Sequence, residues 1–222
     1  MSLKTATASL DPAHLATRQQ ILAAAGGVFA ERGFRAATVR DICRRAGVNN
    51  AAINYHFGDK ETLYVEVLRF SQEKAYKKYP PLLAVDPAAP PEEKLRAFIH
   101  SFLLRIFDKG EIAWHGQLMS REMVDPTAAL DSIIAEKIRP LAEQLRSLVA
   151  DLMQRPAGDE TVRLCSFSIV SQCVFYHHCR PVLTRLYPRQ PPLDSAGAAR
   201  LAEHITHFSL AAMKHLPAAP TP

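Results

Sequence analysis

Asn50, Asn54, Tyr55 and His56 crowd into one short stretch, NNAAINYHF, and their side chains are of the kinds that read nucleic acid. An asparagine amide can pair bidentately with adenine, and a tyrosine or histidine can reach a phosphate. Arg40, Arg44 and Arg45 precede the stretch and Lys60 follows it, so cationic groups flank the hydrogen-bonding ones. Each has a plainer use as well. Asn49 suits a helix N-cap better than a base contact, and Tyr55 and His56 would also serve as packing residues at a helix end.

A second collection, Cys165, Cys173, His177, His178 and Cys179, holds metal-ligand types. Cys173 and His177 are four positions apart, which on a helix makes a two-ligand edge. No Cys-x-x-Cys pair accompanies them, and cysteine is commonly just buried. Two Glu/His pairs, Glu111 with His115 and Glu203 with His207, have no nucleophile signature around them. No catalytic set, metal site or cofactor is therefore expected.

The elements that must position these residues read as helices throughout; period-2 strand runs are absent. From Ala16 to Arg32, Ile21, Leu22, Ala25, Val28 and Phe29 recur at helical spacing, and Gly33 follows as a stop. Thr38 opens a second helix, with Asp41 in its first turn, a stripe of Val39, Ile42, Cys43 and Ala46, and an end at Gly47. Asn49 then caps a very short third helix with Ala52, Ile53 and Phe57 inward. Two short helices joined by Gly-Val-Asn make a helix-turn-helix, whose second helix enters a major groove. After Gly58, Asp59 caps a long fourth helix that Pro80-Pro81 stops.

Charge and composition agree with an anionic partner. Residues 1–79 hold 12 Lys and Arg against 7 Asp and Glu, whereas residues 80–222 hold 15 of each, so the whole net charge of +5 lies in the first third. Nucleic acid is the common partner of such a patch, and a solvated basic surface is the plain alternative. Apolar residues make up 48% of the 222, enough for a substantial core. Four cysteines are no disulfide framework. The N-terminus lacks the apolar stretch of a secretory signal, and no run reaches the roughly 18–20 apolar residues of a membrane span. A cytoplasmic protein with no membrane partner is expected.

The stretch ILAAAGGVFAERGFRAATVRDICRRAGVNNAAINYHFGDKETLY carries a Phe-x-x-x-Gly-Phe-x-x-x-Thr opening and a Tyr-His-Phe-x-x-Lys-x-x-Leu exit. Residues 16–64 thereby resemble the DNA-binding domain of TetR-type transcription regulators. Downstream, REMVDPTAALD, IRPLAEQL and CSFSIVSQCVFYHHCRPVLTRLYP resemble the ligand-domain subgroup that includes CecR. The first resemblance implies that Thr38 caps the second helix and touches DNA backbone, and that Arg40 meets a base or phosphate. Asn50, Ala51, Ala52 and Asn54 would occupy recognition-helix positions, with Tyr55, His56 and Lys60 as a phosphate clamp. Alanine at two potential base-facing positions departs from more polar relatives, which leaves direct readout to few side chains.

Past the linker YPPLLAVDPAAPP, a helix carries Leu95, Phe98, Ile99, Phe102, Leu103 and Ile106, and a shorter one spans Trp114–Val124. A long apolar segment from Leu130 to Leu152 contains Pro140, so a kink is expected near Ile138–Arg139. The segment Glu160–Cys179 is apolar nearly all round, which predicts burial on both sides. Ala196–Leu216 carries Leu201, Ile205, Phe208 and Ala212 as a candidate dimer face, and two terminal helices suit an intermolecular four-helix bundle. Candidate pocket residues are Phe102, Trp114, His115, Met119 and Met123, with Phe167, Ser171, Phe175 and Tyr176 on the later helix.

The expected fold is all-α: a three-helix DNA-binding domain over residues 12–60, joined by the long fourth helix to a helical ligand-binding and dimerisation domain over 61–222. The expected function is a ligand-responsive regulator, most simply a repressor. It would bind double-stranded DNA at a palindromic operator as a homodimer, and a small, largely apolar effector would release it. An enzyme built on the helical pocket would leave the recognition-like helix unexplained. A nucleoid protein would leave the neutral, apolar C-terminal two-thirds unexplained.

Overall fold

The structure, a computed structural model, describes residues 12–110, 113–189, 191 and 194–216. Every regular element among them is helical, and none is long and apolar enough to cross a membrane. The chain divides into two compact units, one ending at Phe70 and one beginning at Ser71. The division falls inside the fourth helix rather than at its start, because the first turns of that helix belong to the N-terminal core. Drawn at Phe70, the first unit holds 9 Lys and Arg against 6 Asp and Glu; Glu73, Lys74, Lys77 and Lys78 lie beyond it.

In the first unit, α1 (Pro12–Ala36) is broken at Gly33, whose φ of 78° only glycine adopts without strain. Helix α2 (Val39–Ala46) starts at Thr38, whose Oγ1 accepts from the Asp41 amide, and ends at Gly47 with φ 66°. Gln20 of α1 donates to the Ala46 carbonyl at 2.7 Å, closing the same end. Helix α3 (Asn50–Phe57) is capped by Asn49, whose side chain accepts from the Ala52 amide at 3.0 Å. Helix α4 (Lys60–Lys78) follows Asp59, whose carboxylate accepts from the Thr62 amide. Ile21, Leu22, Phe29, Ile42, Ile53, Leu63, Tyr64 and Leu68 are buried together, with Tyr64 edge-on to Phe29.

The second unit is built around α5 (Pro91–Phe107), which packs against α6 (Trp114–Val124), α8 (Arg139–Met153), α9 (Glu160–His178) and α11 (Ser195–His215). The kink expected near Ile138 takes a definite form. Helix α7 (Ala129–Ile133) runs into a π-helical turn, Ile134–Ile138, and α8 begins with Pro140 in its first turn. Proline cannot donate its amide or tolerate the preceding carbonyl in a regular helix, and the wider turn makes room for it. A further short helix, α10 (Arg180–Leu186), separates α9 from α11 and has no counterpart in the sequence reading.

The facings of α9 and α11 separate the subunit's own core from what a second subunit could cover. Within one subunit helix α9 is buried on one side: Val162, Cys165, Ile169 and Cys173 face the core, while Leu164, Phe167 and Phe175 lie exposed. On α11, Leu201 and Ile205 are buried in the subunit's own core, and Phe208 and Ala212 are exposed. The stripe of Leu201, Ile205, Phe208 and Ala212 therefore wraps across two faces; the inward line continues through Ala198, Ala202 and Met213 instead.

Candidate functional site

Helix α3 presents a clean division of labour. Ile53 and Phe57 point into the core, whereas Asn50, Ala51, Asn54 and Tyr55 are exposed, Tyr55 at 75%. Ala52 is half-buried. Thr38 is exposed, yet its hydroxyl is used twice by the cap: it accepts from the Asp41 amide and donates to Asp41 Oδ2 at 2.7 Å. That hydrogen bond, with Arg32 and Arg44 beside it, holds the Asp41 carboxyl below its ordinary pKa.

The cations differ in freedom. Arg44 is paired with Asp41 and Arg45 with Glu31, both in exposed pairs of the kind worth little in water. Arg40 is exposed and holds no hydrogen bond or ion pair among the described residues. Lys60 departs most from the expected phosphate clamp. Its Nζ donates to the carbonyls of Phe34 (3.1 Å) and Ala37 (3.2 Å) and sits 4.5 Å over the Phe34 ring. The ammonium thus ties the start of α4 to the α1–α2 connection. Replacing it by Lys60→Met is expected to cost about 2 kcal/mol of stability while leaving the salt dependence of DNA binding unchanged. A salt slope shallower by about one unit would instead put the ammonium on a phosphate.

His56 is half-buried against His14, with ring centroids 4.3 Å apart. Burial first, and then the neighbouring His14 and Arg18, depress its pKa and favour the neutral ring. Of the expected clamp, Tyr55 alone is freely presented.

The second unit holds a cavity of about 240 Å³. Four of the nine expected pocket residues line it: Phe102, His115, Met119 and Met123. The other five do not. Phe167, Ser171 and Phe175 lie on the outer face of α9, while Tyr176 packs on the core and Trp114 is half-buried. The sequence reading missed Gln72 and Tyr76 of α4 and Arg105 of α5, which also line the cavity. The signals were present: Gln72 and Tyr76 are one helical turn apart, and Arg105 is the lone charge inside SFLLRIF.

His115 is buried with Nδ1 3.0 Å from Ser71 Oγ, and burial, Arg105 and His177 push its pKa down to about 4. Ser120 Oγ lies 2.8 Å from the Gly116 carbonyl, to which it can donate, and 2.9 Å from His178 Nε2. Burial raises the Cys173 pKa to about 12, which keeps it a thiol and a poor metal ligand at neutral pH. Among the described residues no group of three or more His, Cys, Asp or Glu is placed to hold a metal ion. Glu203 and His207 form an exposed pair at 3.2 Å, and Glu111, considered as a partner for His115, lies outside the described residues.

Known proteins resemble both units. The family model described as "Bacterial regulatory proteins, tetR family" matches residues 21–67, and "HTH-type transcriptional dual regulator CecR, C-terminal domain" matches residues 91–213. The dual regulator CecR of Shigella flexneri is 30% identical over 169 residues, covering 72% of this chain and 74% of CecR. The transcriptional repressor KstR2 of Mycobacterium tuberculosis is 40% identical over 86 residues, 38% of this chain and 42% of KstR2. Among solved structures, the TetR family regulator PfmR of Thermus thermophilus aligns with a TM-score of 0.64 at 22% identity, over 87% of this chain and 95% of PfmR, a likeness of fold.

Proposed function

This chain belongs to the TetR family of bacterial regulatory proteins and carries a CecR-type C-terminal domain, and on that premise we propose that it is a ligand-responsive repressor acting as a homodimer on a palindromic operator. As a family member it is a DNA-binding transcriptional regulator. The observation that carries the finer reading is the face of α3: three exposed hydrogen-bonding side chains, Asn50, Asn54 and Tyr55, stand opposite a buried Ile53 and Phe57. A helix so divided can be pressed into a major groove without loss of its own packing. One such helix offers little surface, so tight specific binding calls for two, set on successive grooves by a symmetric dimer.

The exposed apolar residues of α9 and α11 support the dimer, since Leu164, Phe167, Phe175 and Phe208 are too many large groups to leave in water without a partner. The cavity supports the effector. Its walls are almost wholly apolar, and α4 contributes Gln72 and Tyr76 to it while its first turn follows the recognition helix in the chain. A ligand that favours one arrangement of α4 changes the DNA affinity by its differential binding, and operator DNA must change ligand affinity by the same factor. Regulation rather than catalysis is supported by the regulator names of the relatives, and the cytoplasm is where such a protein meets genomic DNA.

Binding to operator and to random DNA across a salt series tests the reading. Tyr55→Ala is expected to weaken both about equally, by roughly 10-fold for one lost backbone contact. Asn54→Ala should instead change the preference among operator variants, on the order of 1–3 kcal/mol at a single base pair. Unaltered affinity and preference in both variants would remove α3 from the interface.

A further inference from the structure

Arg105 is 3% exposed and lines the cavity, yet no carboxylate faces it among the described lining residues. Its Nη1 is fully occupied, donating to the Tyr79 carbonyl at 2.8 Å and to Ser101 Oγ at 2.7 Å. Ser101 in turn donates to the Tyr79 and Pro80 carbonyls, so that arm of the fork is anchored to the end of α4 and the chain just after it. Nη2 is buried with no hydrogen-bond partner. The rings of Tyr76 and Phe102 flank the guanidinium at 4.8 and 5.7 Å from its centre and soften the burial without neutralising the charge. A buried, unpaired cation with an unused donor is costly to hold. Relieved by an anion, the same group becomes a strong and directional contact.

We propose that the effector is a small apolar carboxylic acid, its hydrocarbon filling the cavity and its carboxylate accepting from Nη2 of Arg105. This rests on the ligand-responsive reading above and narrows it from an apolar molecule to an apolar monoanion. The walls supply the rest of the match: Phe98, Leu141, Leu145 and Val170 offer only hydrocarbon. At about 240 Å³ the space suits a molecule of roughly a dozen non-hydrogen atoms, below the usual drug-sized range. Arg105 is the one lining side chain with a permanent charge, and burial holds both His115 and His177 toward the neutral form, so a dianion or a phosphate ester would carry uncompensated charge into a largely apolar site. The Arg105 anchor on Tyr79 and Ser101 also gives the ligand a purchase on the α4 end, which an uncharged hydrocarbon would lack.

Titration calorimetry on the full-length protein tests this with matched probes: linear and aromatic monocarboxylic acids of about eight to twelve carbons, each beside its alcohol of equal length. The wild type is expected to bind the best acid at least about 10-fold tighter than its alcohol. Arg105→Met should abolish that preference while still binding the alcohol, and Arg105→Lys should keep part of it. Should Arg105→Met fail to fold, the acid-to-alcohol ratio of the wild type and the Arg105→Lys variant still decide. Acids and alcohols binding alike would overturn the carboxylate assignment and leave an apolar effector site standing. Binding of neither series would remove the effector site as well. A preference that survives in Arg105→Met would show that another group reads the acid.

Discussion

The double variant Phe167→Glu with Phe208→Glu is expected to sediment as a monomer at micromolar concentration and to lose operator affinity at least about 100-fold. Both side chains stand outside the subunit core, at 58% and 59% exposure, on the two helices proposed to form the bundle. In a two-fold interface each substitution occurs twice, so four phenylalanines leave it. At roughly 2 kcal/mol for each buried aromatic the dimer loses about 8 kcal/mol, before any cost of burying the glutamates. DNA then sees one recognition helix at a time, without the effective concentration that a tethered second helix supplies. Far-UV circular dichroism should keep its helical signal, because neither residue supports the subunit's own core, while the melting temperature should fall and lose its dependence on protein concentration as the dimer is lost. A variant that remains dimeric with wild-type operator affinity would move the interface off α9 and α11. Charges at Leu201 or Ile205 could not make this distinction, since both residues are buried within the subunit and their loss would unfold it.

How far the sequence carries the structure depends on the range of the forces involved. The segment from Thr38 to Asp59 was legible because its signals are local: a threonine cap, a left-handed glycine, an asparagine cap and a second glycine act within a few residues of themselves. Pro140 announced a break, but whether the chain answers with a bend or a π-helical turn depends on packing around it. The faces of α9 and α11 were not legible. An apolar residue reads the same whether its partner is its own core or a second subunit, so Ile205 and Phe208 could not be told apart by type and spacing.

The surroundings of Lys60 and Arg105 were hidden in the sequence for one reason. A lysine beside a recognition helix suggests phosphate, yet the carbonyls that hold it belong to Phe34 and Ala37, far back in the sequence. Arg105 drew no reading from the sequence, and only the fold shows that Tyr79 and Ser101 fix one arm and leave the other bare. The expected pocket residues lay on α5, α6 and α9, whereas α4 and α8 line the cavity too, and five of the nine miss it, those on α9 because that helix had to be assigned a facing before its neighbours were known.

Acid is expected to weaken the C-terminal unit well above the range where carboxylates titrate. His115 has its pKa pushed down to about 4 by burial, by Arg105 and by His177, against a small opposing pull from Asp108. The unfolded chain takes up a proton at this residue below about pH 6.5, whereas the folded protein resists until about pH 4. In that window the unfolded state binds more protons, so stability is full above about pH 6.5 and falls as the pH drops. A shift of that size is worth about 3 kcal/mol by pH 4. His177 and His100, depressed mainly by burial in the same unit, add to the slope with the same sign. Denaturant midpoints measured from pH 7.5 down to about pH 4.5 should therefore decline steadily, and His115→Gln, which cannot titrate there, should flatten the decline whatever its stability at neutral pH. Proton NMR supplies the direct check: the His115 ring signal should hold its neutral position to about pH 5. An imidazole that titrates near pH 6.5 in the folded protein, or an unchanged slope in His115→Gln, would mean that His115 reaches water and that the cavity floor beside Arg105 is open.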